Sequence, residues 1–334
     1  MASPQSANRE VRIGILGSGW MGSVHAECYQ KIAGAKVVGV FGRNRERAET
    51  VAKICSAKAV ADVSALLDDP NVDAIDVCLP TSIHADFVVA ALQHGKHVFC
   101  ESPFALRWIE AEAMLTAARL CDRIFMVGLL ERSIVQYEQV HEAVVAGNLG
   151  RILGISTYRL ASYLLSEERH YADPALELMT LDFDFVCWLI GPPASVYATA
   201  TRTSHGVPGE VSAILNYQSG ANVTVIASGV MPKGFPYSIG FRVLFEKGVF
   251  NLKTVFEEAG PPKNTFQFYS DTGAELLTIE EHDPYEQELR YFVRAIRGEV
   301  DAGRLDAQHA GEALKLSLAT LRSANEGRVV TIDG

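Results

Sequence analysis

The run Gly17-Ser18-Gly19-Trp20-Met21-Gly22 decides the fold, because of what stands on either side of it. Val11 to Leu16 is a short apolar stretch that reads as a buried parallel strand, and Met21 to Ile32 carries apolar residues at helical spacing. Strand, tight turn and helix follow in that order. In such a unit Gly17 allows the sharp turn, Gly19 lets backbone approach a pyrophosphate, and Gly22 lets the helix close on the strand. The unpaired N–H groups at the helix start attract phosphates. A glycine-rich turn that binds nothing is what the bare motif would leave open. With its flanks, the expected ligand is a nicotinamide dinucleotide, contacted by Gly17, Gly19, Trp20, Met21 and Gly22.

A second strand is expected over Lys36 to Phe41, some 20 residues past the glycines. An Asp or Glu at its end would accept hydrogen bonds from the adenosine ribose and repel a 2′-phosphate. None is present, and the strand closes on Phe41-Gly42-Arg43-Asn44. Arg43 can pair with a 2′-phosphate or lay its plane over the adenine; the plain alternative is a solvated Arg ahead of a helix over 45–54. NADP is therefore expected over NAD, with NAD still possible.

Strands and helices alternate further on: Asp73 to Leu79, His84 to Gln93, His97 to Cys100, Arg107 to Leu120 and Ile124 to Val127. That alternation predicts a doubly wound parallel sheet, with ligand outside the carboxyl ends of its strands. Two such ends are distinctive: Cys78-Leu79-Pro80-Thr81 followed by His84, and Cys100-Glu101-Ser102-Pro103. Pro80, Thr81, His84, Glu101 and Pro103 are thus expected on the nicotinamide side of the crevice, His84 as a structural or cofactor-proximal group. Cys78 and Cys100 are near enough to strand ends to approach the cofactor, although such residues more often fill space.

After Gly150 the pattern changes to successive strands over 152–160, 195–203, 211–217, 222–228, 238–245 and 248–252, with turn signals at Gly206, Gly220 and Gly248. A helix is expected over 174–190, and two more over 283–298 and 306–327. The fold class is α/β: an N-terminal Rossmann doubly wound sheet, then an α+β domain with an open, mainly antiparallel sheet. The expected division is a disordered 1–10, a dinucleotide-binding 11–130, and a substrate-binding and oligomerisation domain 131–334 whose last helices pack back on the first.

Composition sets outer limits. The 334 residues are 48% hydrophobic, enough for about two domains with substantial cores. A net charge of -10 argues against nucleic acid or an anionic membrane as partner. The opening residues lack a signal-peptide core and no run reaches transmembrane length, so a cytoplasmic location is expected. Six cysteines without CxxC pairs suit reduced thiols, and the dispersed histidines lack metal-ligand spacing, so no metal is expected.

Gly17 to His25, Cys78 to His84, Gly95 to Pro103 and the closing Glu326-Gly327-Arg328 together resemble the glucose-fructose oxidoreductase, inositol dehydrogenase and MocA (Gfo/Idh/MocA) family, over nearly the whole chain. The resemblance implies hydride transfer between a nicotinamide and a hydroxyl-bearing carbon of a sugar or cyclitol, with dimers or tetramers built through the second-domain sheet. It also exposes two departures. The family reads Glu-Lys-Pro where this chain has Glu101-Ser102-Pro103, and that Lys takes part in proton transfer. The family's Asp and His, one helical turn apart, fall on Glu177 and Leu181. Leu cannot carry a proton, and Ser102 is a poor base without a partner.

The catalytic candidates are accordingly Glu177, Ser102 (through a held water), and His170 and Tyr171 of the loop 166–171, where plain surface is the competing reading. Thr180 and Asp184, at i+3 and i+7 from Glu177, share its face on one continuous helix and are expected to bind substrate hydroxyls. Asp182 matches the family's acidic residue after the His, with a structural carboxylate as the alternative. The expected function is hydride transfer between NAD(P) and a polyol or keto-sugar. Two other readings stay open: a non-catalytic dinucleotide-binding regulatory or subunit protein, and elimination or hydrolysis assisted by transient oxidation with a tightly held cofactor.

Overall fold

The computed structural model describes residues 9–162, 173–204, 206–258, 260–280 and 282–332. The expected disordered terminus falls mostly on 1–8, outside these residues. The first elements are β1 (Val11–Leu16), α1 (Trp20–Lys31), β2 (Ala35–Phe41), α2 (Arg45–Ile54), β3 (Lys58–Val60), α3 (Ser64–Leu67), β4 (Ala74–Val77), α4 (His84–Gln93), β5 (His97–Cys100), α5 (Trp108–Leu120) and β6 (Phe125–Val127). Then come α6 (Val135–Ala146), β7 (Ile152–Leu160), α7 (Pro174–Glu177), α8 (Met179–Ile190), β8 (Ser195–Arg202), β9 (Pro208–Asn216), β10 (Asn222–Ser228), β11 (Tyr237–Phe245), β12 (Gly248–Phe256), β13 (Lys263–Ser270), β14 (Gly273–Leu276), α9 (Pro284–Ile296), α10 (Ala307–Glu326) and β15 (Val330–Thr331). The chain divides into two units: residues 1–133 with 282–311, and 134–281 with 312–334. α9 thus belongs with the first unit, and the division falls inside α10.

The first unit is a six-stranded parallel sheet in the order β3-β2-β1-β4-β5-β6. The strands are apolar on both faces, as a sheet covered by helices on each side requires; Ile13, Ile15, Leu16, Ile75 and Val77 are fully buried. Strand order reverses at β1 and β4, the topological switch point where doubly wound sheets bind ligand. α9 packs on α1 with Leu289, Phe292 and Val293 turned inward. The residues before α10 are tied in by reciprocal backbone contacts, Arg132 donating to the Arg304 carbonyl at 2.8 Å and Arg304 to that of Arg132.

The second unit is a nine-stranded sheet, β14-β13-β12-β11-β7-β10-β9-β8-β15, in which β10 and β7 run parallel and the other neighbours antiparallel. Val196, Ala198, Val211, Ala213, Val223 and Val225 join Phe183, Phe185 and Val186 of α8 in one core. The single helix expected over 174–190 is in fact two, broken at Leu178 (φ -110°, ψ -44°). The Thr180 hydroxyl donates to the Leu176 carbonyl at 2.6 Å, the side-chain back-bonding that competes with the helix ladder. Glu177 therefore ends α7 and does not share one continuous helical face with Thr180 and Asp184.

Inside this unit Arg159 donates to Asp182 at 2.9 Å and to the Tyr237 hydroxyl at 2.7 Å, with Arg159 and Asp182 both buried. Burial pushes the Asp182 carboxyl up, and Arg159 opposes that shift. Asp182 is thus held by an internal ion pair. Arg159→Met should cost about 3–5 kcal/mol, since it leaves a buried carboxylate uncompensated. Urea unfolding followed by circular dichroism measures this, and an unchanged midpoint would show the pair to be dispensable.

Candidate dinucleotide and catalytic site

At the β1–α1 turn each glycine has its own reason. Gly17 sits at φ +130°, its N–H donates to the Phe41 carbonyl at 2.8 Å, and an added Cβ would lie 2.3 Å from the Cys78 carbonyl oxygen. A Cβ on Gly22 would meet the Gly17 oxygen at 2.2 Å. Gly19 differs, since nothing lies within 4 Å of its missing Cβ. Gly19 is also the N-cap of α1 and supplies no side-chain cap, so the first N–H groups keep their capacity for an anion. This open cradle fits a dinucleotide pyrophosphate. Trp20, 68% exposed, stands edge-on to Tyr285 with ring centroids 6.3 Å apart.

At the end of β2 a Cβ on Gly42 would come 2.2 Å from Ser18 Oγ and 2.7 Å from Ser18 Cβ. A larger residue there, acidic ones included, requires Ser18 to move. Arg43 is exposed beside it, while Asn44 caps α2 by accepting from the Arg47 N–H at 3.0 Å and Arg45 pairs with Glu49.

The two strand-end loops of the first unit meet at His84. Its Nε2 lies 2.6 Å from the Leu79 carbonyl, and its Nδ1 lies 3.3 Å from the Phe104 carbonyl. Burial lowers the pKa of this imidazole, so it stays neutral and donates through Nε2. Pro80 is exposed and Thr81 half-buried at the mouth of the first loop; Ser102 is half-buried and Pro103 buried in the second, across a cis peptide bond. Burial raises the pKa of both Cys78 and Cys100 and keeps them as thiols.

Beneath these loops lies a set of ionisable side chains drawn from distant parts of the chain. His25 of α1 places Nδ1 2.8 Å from Asp76 Oδ2 and Nε2 2.8 Å from Glu101 Oε1. Glu288 of α9 faces the same point: a Cβ on Gly128 would be 3.5 Å from Glu101 Oε1 and 3.6 Å from Glu288 Oε1. Burial, the largest single influence, favours neutral imidazole, but the charge of Asp76, the neighbouring Cys78 and the hydrogen bonds to both together outweigh it and hold the His25 pKa well above its ordinary value. Burial and then the charge of Glu101 push Glu288 well above the carboxylate range. Ligand-type atoms of His25, Glu101 and Glu288, and of His25, Asp76 and Cys78, lie within 4.8 Å of one another, although sequence spacing gave no hint of such sets. Asp76 and Glu288 were missed in the sequence. Their signals were a carboxylate inside the apolar strand Ala74–Val77, and one in register with Phe292 on the inward face of α9.

In the second unit Glu177 is half-buried, and burial raises its pKa. Thr180 is buried, bonded to Leu176 and 3.1 Å from Ser317 Oγ; Asp184 is buried as well. His170 and Tyr171 lie outside the described residues.

With this geometry in hand, two family models match the chain: the oxidoreductase family NAD-binding Rossmann fold over residues 11–129, and the GFO/IDH/MocA C-terminal domain over 137–251. The chain belongs to the Gfo/Idh/MocA oxidoreductase family. Myo-inositol 2-dehydrogenase of Thermotoga maritima is 28% identical, covering 97% of this chain and 99% of its own. D-xylose 1-dehydrogenase (NADP(+)) 2 of Haloferax volcanii is 27% identical over 96% and 99%. An oxidoreductase from Agrobacterium radiobacter, solved with NAD+, L-tartaric acid and magnesium, superposes with a TM-score of 0.84 at 17% identity, covering 97% of this chain and 98% of its own. The last likeness is one of fold.

The open position at Gly19 lends the turn to a direct test. Gly19→Val should fold normally, because its side chain enters open space, yet lose dinucleotide binding by filling the pyrophosphate path. Calorimetry with NADP+ and a thermal melt check both halves; unchanged affinity would remove the turn from the site.

Proposed function

We propose that this chain is an NADP-preferring oxidoreductase that moves hydride between the nicotinamide and a hydroxyl or carbonyl carbon of a small polyol, sugar or cyclitol. The observation that carries the reading is the glycine turn, with its open Gly19 cradle and uncapped helix start, in a chain of this family. Relatives named for myo-inositol and D-xylose point to the substrate class. The bound nicotinamide supplies the hydride acceptor; the protein binds, orients and handles the proton. Gly17, Gly19, Trp20, Met21 and Gly22 hold the pyrophosphate side, Arg43 the adenosine side, and the loops 79–81 and 101–103 the nicotinamide side. Ser102 offers a hydroxyl or a held water where the family has its Lys.

For the substrate, Glu177 is the proposed proton acceptor; the buried Thr180 and Asp184 have structural places in α8. As hydride leaves the carbinol carbon, the O–H bond breaks, its electron pair forms the carbonyl, and the proton passes to the Glu177 carboxylate. Burial raises the pKa of Glu177 above its ordinary value, which brings its basicity closer to the working pH. The uncovered face of the second sheet carries Tyr197 and Ile214, directly opposite each other on β8 and β9, and Ile226 on β10, exposed by 40%, 53% and 36%. A second copy of the chain in a homodimer or homotetramer is the proposed cover. A cytoplasmic setting suits the reading, and among the described residues no helix is long and apolar enough to cross a membrane.

Cofactor choice is checked at Arg43. Arg43→Ala should weaken NADP+ binding about tenfold or more while leaving NAD+ nearly unchanged, since only the former presents a 2′-phosphate to the guanidinium. Equal losses would show that Arg43 covers adenine, and a parent preference for NAD+ would sink the assignment.

Proton handling is checked at Glu177. With a polyol found by following reduced-nicotinamide absorbance over a panel of inositols, aldoses and keto-sugars, Glu177→Gln should lower kcat by about two orders of magnitude. The parent oxidation rate should rise with pH through a limb above the ordinary carboxylate range, because only ionised Glu177 accepts the proton. A variant at the parent rate would make Glu177 a binding group. Tight dinucleotide binding with no reaction on any substrate would favour the non-catalytic reading, which the loss of the family Lys and His also suits.

A further inference from the structure

We propose that His25, seated between Asp76 and Glu101, and Glu288 beyond them are positioning residues that hold the Glu101-Ser102-Pro103 segment at the carboxyl end of β5. Nothing about motif spacing predicts this set. It joins four elements: α1, β4, the end of β5 and α9. Of the four side chains, His25 and Asp76 are fully buried and Glu288 is 1% exposed, whereas the Glu101 side chain is 15% exposed. Glu101 is therefore the member that links the buried set to the loop surface, and Ser102 follows it at once. The Glu101 N–H is fixed separately by the Val77 carbonyl at 3.0 Å.

The arrangement balances charge only if protons stay in it. Asp76 and Glu101 flank one imidazole, and buried carboxylates left without a counter-charge are costly. An imidazolium at His25 compensates the two carboxylates in part, and a protonated Glu288 avoids adding a third. The groups that face His25 are Asp76 from β4, Cys78 just after it, Cys28 on its own helix, and Glu101 and Glu288; Tyr29 acts on Asp76, and Glu131, after β6, lies close enough to act on Glu288. Phe99 and Tyr285 pack against the imidazole, with ring centroids 5.8 and 6.4 Å away, and keep water out. Asp76 fixes the ring through Nδ1, and Nε2 thereby stands 2.8 Å from Glu101 Oε1, a charge contact without the alignment of a hydrogen bond. A His whose folded pKa is raised stabilises below its unfolded pKa, and that contribution is lost as pH rises through the folded value. The grip on Glu101 thus weakens on the alkaline side.

Hydrogen exchange tests the holding directly, without a substrate. Peptides spanning residues 100–106 should exchange about tenfold faster or more in Glu101→Ala and in His25→Asn, while those of β1 and β4 stay protected. The double variant should be no faster than Glu101→Ala, because His25 acts through Glu101. Should His25→Asn fail to fold, Glu288→Ala in its place carries the same comparison. The kinetic consequence rests on the hydride-transfer reading. With a verified polyol, both variants should lose kcat by about 100-fold, the scale of a 1 Å misplacement. In His25→Asn the NADP+ affinity should stay within about threefold, and the parent's alkaline loss of kcat/KM should be missing. A parent inactive on every polyol defeats that reading and leaves exchange to decide the holding. Unchanged exchange at 100–106, additive effects in the double variant, or stoichiometric zinc or manganese in the purified protein would each overturn the positioning role.

Discussion

The contact on which the first unit depends is backbone against backbone at the β1–α1 crossing. The Gly17 oxygen occupies the place where a Cβ at residue 22 would go, and the Cys78 oxygen the place of one at residue 17. Any side chain at either position would push α1 off the sheet. The close approach fixes where α1 begins, and so which N–H groups face outward at Gly19 and Trp20. It also fixes the phase of the helix, which brings His25, three residues past Gly22, over Asp76 and Glu101. Cofactor cradle and buried charge set are thus consequences of one steric constraint.

Much of this was legible because it is local. The glycine turn, the alternation of strands and helices, and the strands at 152–160 and 222–228 depend on residues near one another in sequence, where periodicity and turn chemistry speak directly. The missing acid at Gly42 was legible too. Its structural counterpart, the Ser18 hydroxyl filling the space beside it, arises only when the β1–α1 turn folds against the end of β2. The break at Leu178 was not legible, since residues 174–190 keep an apolar helical pattern and the competing bond comes from one hydroxyl, that of Thr180. Short strands such as Gly273–Leu276, exposed throughout, carry no core pattern to read.

The buried polar set was least legible, for a physical reason. Asp76 and Glu288 are about 210 residues apart, and each looks like an isolated fault in an apolar pattern. Only the fold shows that the two faults meet on one imidazole. The second unit repeats the theme with Asp182, whose matching cation Arg159 stands on β7. Both units therefore bury carboxylates, but in different company. Asp182 is neutralised by a guanidinium in a purely internal pair, whereas Asp76 and Glu101 share a titratable ring that ends at a loop.

Isotope transfer measures the central claim most directly: incubate the protein with NADP+ and a polyol deuterated at its carbinol carbons, then examine the recovered dinucleotide by mass spectrometry and NMR. The account predicts one deuterium at the nicotinamide C4, delivered to a single face, with the matching keto product. Tight NADP+ binding with no label on the ring, or loss of deuterium to solvent without a keto product, would contradict it.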